Sequence, residues 1–193
     1  SPQQGIVMYY IIAIIVAFLL LNLPFVHKPG IKVDPIDSLF VAVSGVSVTG
    51  LSPVNIVETY TTFGQIIIMI ILNIGGIGVM AIGTMLWVVL GKHIGMRERQ
   101  LIMLDNNKDT MSGTVKLILD IVRTILIIEV VGAALLAFYF YRDTPDLQYA
   151  IMQGFFVAVS ATTNGGLDIT GQSLIPYAND YFVQTIVMFL IIL

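Results

Sequence analysis

Long apolar runs separated by short polar stretches dominate the chain, and three of these runs are long enough to cross a membrane. A spanning helix needs about 20 predominantly apolar residues. Charged side chains interrupt only the third run, at Asp120, Arg123 and Glu129. The pattern therefore predicts three transmembrane helices, at residues 6–23, 64–90 and 117–141.

A fourth apolar run, residues 182–193, is cut short by the end of the sequence. At about 1.5 Å of rise per residue it covers only about 18 Å of a hydrocarbon core that is about 30 Å thick. We therefore expect an incomplete span here, and a chain that is part of a longer protein.

Two further apolar segments, residues 35–46 and 145–161, are too short or too weakly apolar to span. Segments of about 10 to 14 residues are commonly re-entrant or interfacial in membrane proteins. Each segment has a start signal, because Asp34 and Thr144 each precede a proline, and a capping oxygen followed by proline is typical of a helix N-terminus. The pattern predicts two re-entrant pore helices.

An internal repeat relates the two halves of the chain. Residues 40–51 match residues 156–167 at 7 of 12 positions, with an offset of 116. Residues 63–69 then match residues 182–188 at alternate positions, with an offset of 119. Such self-similarity indicates a repeated structural unit, here span, pore helix, glycine-bearing turn and span. The predicted organisation is a first repeat at 1–91, a loop at 92–116 and a truncated second repeat at 117–193.

The turn after each pore helix is the predicted ion-binding site. A helix that points its C-terminal end into the bilayer places a partial negative charge there, and carbonyls of an extended turn can replace the hydration shell of a cation. Glycine suits such a turn because it reaches backbone angles closed to other residues. The predicted filter residues are Ser47, Val48, Thr49 and Gly50 in the first repeat and Thr163, Asn164, Gly165 and Gly166 in the second.

Potassium is the expected ion for a filter of this kind. Asp168 follows the second turn directly. Two interpretations of its carboxylate are open: it concentrates cations at the outer mouth of the filter, or it is a solvated loop residue.

Composition excludes several other classes of protein. Apolar residues make up 57% of the chain and charged residues 11%, whereas a soluble domain carries about 25% charged residues. The net charge of −3, without a basic run, argues against nucleic-acid binding. The chain has no cysteine and only two histidines, which excludes disulfides and thiol chemistry and makes a multi-histidine metal site improbable.

The distribution of charge predicts the orientation in the membrane. The loop at residues 91–116 carries five basic and three acidic side chains, whereas the loops on the opposite side carry three basic and seven acidic ones. Basic loops face the cytoplasm. We therefore expect a multi-pass protein of the plasma (inner) membrane, with the loop at 91–116 cytoplasmic and both pore loops outside.

Glu129 lies at the middle of the third predicted span, where an ionisable group is costly and is a candidate functional residue. We expect a structural role, in which Glu129 hydrogen-bonds a pore helix or a polar group such as Asn73. The glycine-rich string at 75–78 resembles a dinucleotide fingerprint, but it lies inside an apolar span. Close packing of helices against its small residues is the favoured interpretation.

The two turn sequences, residues 47–51 and 161–168 with their upstream helices, resemble the first and second pore loops of the Trk/Ktr/HKT potassium transporters, and the bacterial Ktr membrane subunit most of all. The resemblance also includes residues 75–78 and 91–99. It implies an all-α membrane protein with four such repeats in pseudo-fourfold arrangement around one pore. It further implies filter glycines at Gly50 and Gly166, a homodimer of pores, and a cytoplasmic nucleotide-binding regulatory ring as partner.

The leading hypothesis is therefore a subunit for uptake of potassium, with sodium as a second candidate ion, and without a bound cofactor. A non-conducting membrane scaffold or assembly subunit is the alternative. An intramembrane enzyme is a weaker one, because the chain has no paired carboxylates or Ser/His arrangement at membrane depth.

Overall fold

The computed structural model describes residues 2–78, residue 81 and residues 114–193. Within these residues the chain is helical and has no strand, apart from an isolated bridge between His27 and Tyr60. This confirms the predicted all-α class. The helices are α1 (Pro2–Leu21), α2 (Pro35–Val46), α3 (Ile56–Thr59), α4 (Thr62–Ile77), α5 (Thr114–Asp143), α6 (Leu147–Thr162) and α7 (Tyr181–Ile192), with a 3₁₀ turn at Ile175–Tyr177.

The described helices form two units of three. Helices α1, α2 and α4 pack on one another, as do α5, α6 and α7, and the contact between α4 and α6 joins the two units. Each unit has its own hydrophobic cluster, and Phe156 and Val159 of α6 belong to the cluster of the first unit. The second pore helix therefore contributes to both cores.

The outward faces of the long helices are apolar. Ile11, Ile15 and Leu19 of α1 and Phe138 of α5 are all exposed. Large apolar patches of this kind are rare on soluble monomers. Two described stretches, Gln4–Leu21 and Val115–Asp143, are long and apolar enough to cross a bilayer, whereas the other apolar helices have 10–17 residues. Lipid is the solvent that suits these faces.

Helix α4 differs from the continuous helix expected over residues 64–90. It begins at Thr62, capped by the Thr61 side chain, and ends at Ile77. The next residue, Gly78, has φ +100°, a backbone conformation that side chains with a Cβ rarely adopt. Apart from Ala81, the rest of the expected span and residues 92–113 of the expected loop lie outside the described residues.

The two pore helices begin in different ways. α2 has Asp34 at its N-cap and Pro35 at its first position, but the Asp34 side chain makes no capping hydrogen bond. α6 begins two residues later than expected, because the cap is Asp146, whose carboxylate accepts from the N–H groups of Gln148 and Tyr149. Thr144 instead donates its N–H to the Phe140 carbonyl and so ends α5.

Helices α5 and α6 approach each other closely at Gly154 of α6. A Cβ at Gly154 would lie 2.7 Å from both the Ala133 carbonyl oxygen and the Ala137 nitrogen. Overpacking a core costs about 1–3 kcal/mol, and backbone atoms can yield less than side chains. We expect Gly154→Val to lower the melting temperature of the complete gene product in detergent by several degrees.

Ala134→Val is the matched control, since Ala134 is exposed on the same part of α5. It adds a similar volume and should leave the melting temperature unchanged. Equal melting temperatures for Gly154→Val and the control would contradict the packing described here.

Candidate functional site: paired glycine turns beside an open cleft

The turns that follow the two pore helices have the same backbone conformation. α2 ends at Val46 and α6 at the repeat-equivalent Thr162. The second turn residue is left-handed in both repeats, with φ +54° at Val48 and +55° at Asn164. A β-branched residue such as Val48 is strained in that region, and strain of this kind clusters at functional sites.

The glycines of the two turns are also equivalent in conformation, since φ is +77° at Gly50 and +68° at Gly166. These angles explain why both repeats carry glycine at this position.

Matching hydrogen bonds fold each turn back onto its own pore helix. The N–H of Thr49 donates to the Ser44 carbonyl (2.9 Å), and the N–H of Gly165 donates to the Ser160 carbonyl (2.7 Å). The hydroxyls of the first turn residues do the same: Ser47 donates to the Val43 carbonyl and Thr163 to the Val159 carbonyl, both at 2.7 Å. The end of the pore helix thus satisfies these turn donors.

Two serines of the pore helices, outside the predicted filter residues, bond the backbone just after the glycine of each turn. The Ser44 hydroxyl accepts the N–H of Leu51 (2.9 Å), and the Ser160 hydroxyl donates to the carbonyl of Leu167 (2.7 Å). Both serines are buried. The sequence could have indicated them, because serine is present at this position in both copies of the repeat, 116 residues apart.

The structure brings the two turns into direct contact at their glycines. A Cβ on Gly50 would lie 3.2 Å from the Gly166 Cα and 2.6 Å from the Gly165 carbonyl oxygen, and a Cβ on Gly166 would lie 3.4 Å from the Gly50 Cα. Gly50 is half-buried and Gly166 is exposed. Both line an open cleft of about 450 Å³, together with Asp168.

Helix α4 supports both turns through two adjacent glycines. A Cβ on Gly75 would lie 2.5 Å from the Val46 carbonyl oxygen and 2.6 Å from that of Gly45. A Cβ on Gly76 would lie 2.4 Å from the Thr163 Cβ. These contacts agree with the packing interpretation of the glycine-rich string and disagree with a nucleotide-binding turn.

Glu129 connects α5 to both neighbouring elements. It is 4% exposed, and its Oε2 accepts from Nδ2 of Asn73 on α4 (3.3 Å). Its Oε1 lies 3.0 Å from the hydroxyl of Thr162, the last residue of α6. The carboxylate is thus buried next to the second turn. Its partner Thr162 directly precedes Thr163, the first predicted filter residue of that turn.

Metal-ligating side chains do not define this site. Among the described residues, no group of three or more His, Cys, Asp or Glu side chains is arranged to hold a metal ion. Backbone carbonyls and hydroxyls are the ligands that suit a weakly held monovalent ion in transit.

The fold and these turns define an all-helical membrane protein built on a repeated pore-helix and turn unit. The chain matches the family model for TrkH, described as cation transport protein, over residues 3–193. It belongs to this family.

Three relatives align over the whole chain. The chain is 50% identical over 192 residues to Ktr system potassium uptake protein D of Bacillus subtilis, 35% identical over 194 residues to potassium/sodium uptake protein NtpJ of Enterococcus hirae, and 34% identical over 197 residues to Ktr system potassium uptake protein B of Bacillus subtilis. The alignments cover 43%, 42% and 42% of these relatives. The chain therefore spans about two fifths of the length of the curated relatives it matches.

Glu129 can be tested through its two partners. Glu129→Gln keeps a polar group that can bond both Asn73 and Thr162, whereas Glu129→Leu removes the acceptor of the Asn73 amide and leaves the Thr162 hydroxyl only the Ala158 and Val159 carbonyls. An unsatisfied buried group costs about 1–3 kcal/mol. We expect Glu129→Leu to lower the melting temperature of the complete gene product clearly, and Glu129→Gln to lower it little and to leave the ion flux normal.

Val130→Leu, at an exposed neighbouring position, is the control for a change of apolar volume on α5. If Glu129→Gln folds normally but abolishes ion flux, the carboxylate has a role in transport and not only in packing.

Proposed function

We propose that the protein takes up potassium across the plasma membrane through a filter of backbone carbonyls, and that this chain supplies two quarters of that filter. One observation carries the proposal. Two turns of the same unusual backbone conformation, one from each repeat, meet glycine to glycine at an open cleft.

The electrostatics of the turns favour a cation. α2 and α6 end at Val46 and Thr162, directly before the turns, so the partial negative charges of both helix C-termini lie beside the cleft. The turn N–H groups of Thr49 and Gly165 are already bonded to the pore helices. Carbonyl oxygens of these turns are then the groups that can replace the water around an ion.

The identity of the ion follows from the relatives. Two of them are named potassium uptake proteins and one a potassium/sodium uptake protein. We propose potassium as the transported ion and sodium as a second ion that is conducted or coupled. Inward movement would use the membrane potential, which is worth about 2.3 kcal/mol per charge per 100 mV.

The complete pore requires two more turns of this kind. The chain has two such turns and covers 43% of Ktr system potassium uptake protein D of Bacillus subtilis. A protein as long as that relative has room for four turns, which we propose are arranged with pseudo-fourfold symmetry. We further propose that the pore loops face the outside, that residues 91–116 face the cytoplasm, and that the protein works as a homodimer with a cytoplasmic nucleotide-binding ring of the Ktr type.

Substitution of the two glycines tests the filter. We expect Gly50→Asp and Gly166→Asp in the complete gene product to reduce potassium uptake about tenfold or more, or to abolish the preference for potassium over sodium, because a fixed charge and a Cβ enter the contact between the turns. The measurement is rubidium or potassium uptake, and potassium-limited growth, in cells that lack their own uptake systems.

Gly30→Asp is the matched control, because Gly30 also has a positive φ of +86° but a Cβ there would meet nothing within 4 Å. It should retain uptake and selectivity. Unchanged uptake and unchanged selectivity in both filter variants would refute the filter. Failure of the unaltered protein to restore growth would favour a scaffold or assembly role.

A further inference from the structure

The carboxylate of Asp168 is the centre of the loop that follows the second turn. Its Oδ2 accepts from the N–H groups of Thr170 (3.0 Å), Gly171 (2.9 Å) and Ser173 (2.9 Å), and from the Thr170 hydroxyl (2.6 Å). Hydrogen bonds between a carboxylate and backbone N–H groups are among the stronger ones in proteins. This oxygen atom accepts most of the hydrogen bonds within residues 168–173, and the Thr170 hydroxyl adds contacts to the Gln172 N–H (3.1 Å) and the Ser173 carbonyl oxygen (2.6 Å).

This loop connects the second repeat to the first at the cleft. Gly171 has φ +77°, and a Cβ there would lie 3.0 Å from Nδ2 of Asn55. Asn55 caps α3, since its Oδ1 accepts from the N–H groups of Val57 and Glu58. Gly171 and Asp168 line the same cleft as Gly50 and Gly166. By holding Gly171 in place, Asp168 fixes one wall of the cleft beside the paired glycines.

The equivalent residue of the first repeat performs a similar task without a charge. Ser52 lies 116 residues before Asp168. Its hydroxyl accepts the N–H of Val54 (3.3 Å) and lies 2.6 Å from the Val54 carbonyl oxygen. Each side chain therefore bonds the backbone two residues further on. What the two repeats share at this position is a short side-chain acceptor for the loop backbone, and not a negative charge.

We infer that Asp168 is a positioning residue for ion selectivity, which holds the loop at residues 168–173 against the first repeat, and that it does not serve to attract cations by its charge. This inference rests on the proposed function, because selectivity has meaning only if the turns form a filter. Of the two interpretations open from the sequence, neither gives Asp168 this role.

Three variants at one position separate geometry from charge. Asp168→Asn and Asp168→Ser remove the charge but keep an acceptor, and Asp168→Ala removes both. We expect Asp168→Ala to weaken the preference for potassium over sodium about fivefold or more, since several bonds to one oxygen are lost. Asp168→Asn should keep the preference within about twofold of the unaltered protein, and Asp168→Ser, whose shorter side chain can bond the residue two positions further on as Ser52 does, should lie between them.

A charge-attraction role gives a different pattern in the same uptake assay. All three variants would then raise the KM for potassium equally at low ionic strength, and the difference would disappear at high ionic strength because salt screens the attraction. That result would overturn the inference. Thr170→Val removes one of the four bonds to Asp168, together with the contacts of the hydroxyl to Gln172 and Ser173. It should shift selectivity in the same direction as Asp168→Ala but less, and it serves where Asp168→Ala does not fold.

Hydrogen exchange tests the inference independently of transport. In the purified complete protein, the amides of residues 170, 171 and 173 should exchange about tenfold faster or more in Asp168→Ala, and much less so in Asp168→Asn, because the protecting acceptor is lost only in the former. Unchanged exchange in Asp168→Ala would overturn the inference even if the protein transports potassium. Faster exchange in a protein that transports no potassium would uphold the positioning of the loop and refute the filter instead.

Discussion

Backbone that is not helical can lie at membrane depth only if the protein satisfies its polar groups, and the hydrogen bonds of both turns meet this requirement. Each turn reverses direction by bonding the N–H groups of its residues to the last carbonyls of its own pore helix, as Thr49 does with Ser44 and Gly165 with Ser160. The same two serines bond the residues after the glycines through their hydroxyls. Each pore helix therefore holds the conformation of its turn through these hydrogen bonds, and its C-terminus places a partial negative charge beside that turn.

The repeat in the sequence coincides with several ends of helices in the structure. α2 ends at Val46 and α6 at Thr162, which differ by the offset of 116, and α4 and α7 have their N-caps at Thr61 and Asp180, which differ by the offset of 119. Local signals suffice here because turn chemistry and capping depend on neighbouring residues. The change of offset from 116 to 119 means that the second repeat has three additional residues. They lie between Thr162 and Asp180, in the segment that contains the loop at residues 168–173.

Contacts between the repeats could not be predicted in the same way. The sequence suggests that Gly50 and Gly166 are equivalent, but it does not indicate that they touch, that Gly76 packs on Thr163, or that the Asp168 carboxylate turns into its own loop. These arrangements depend on how α4 and α6 pack. The end of α4 at Gly78 was also missed, because an uninterrupted apolar run has no signal for a change in backbone angle at one glycine.

The two turns share a backbone conformation but not their side chains, and only part of their support is the same. Ser47, Val48 and Thr49 correspond to Thr163, Asn164 and Gly165, yet the left-handed residue and the glycine angle are kept. Retention of conformation without retention of side chains is what the proposed filter of backbone carbonyls requires. The supports are partly the same, since α4 contacts the first pore helix through Gly75 and the second turn through Gly76. Glu129 adds a contact to Thr162 at the end of the second pore helix. A substitution at Glu129 would therefore act on the second turn of the proposed filter and not directly on the first.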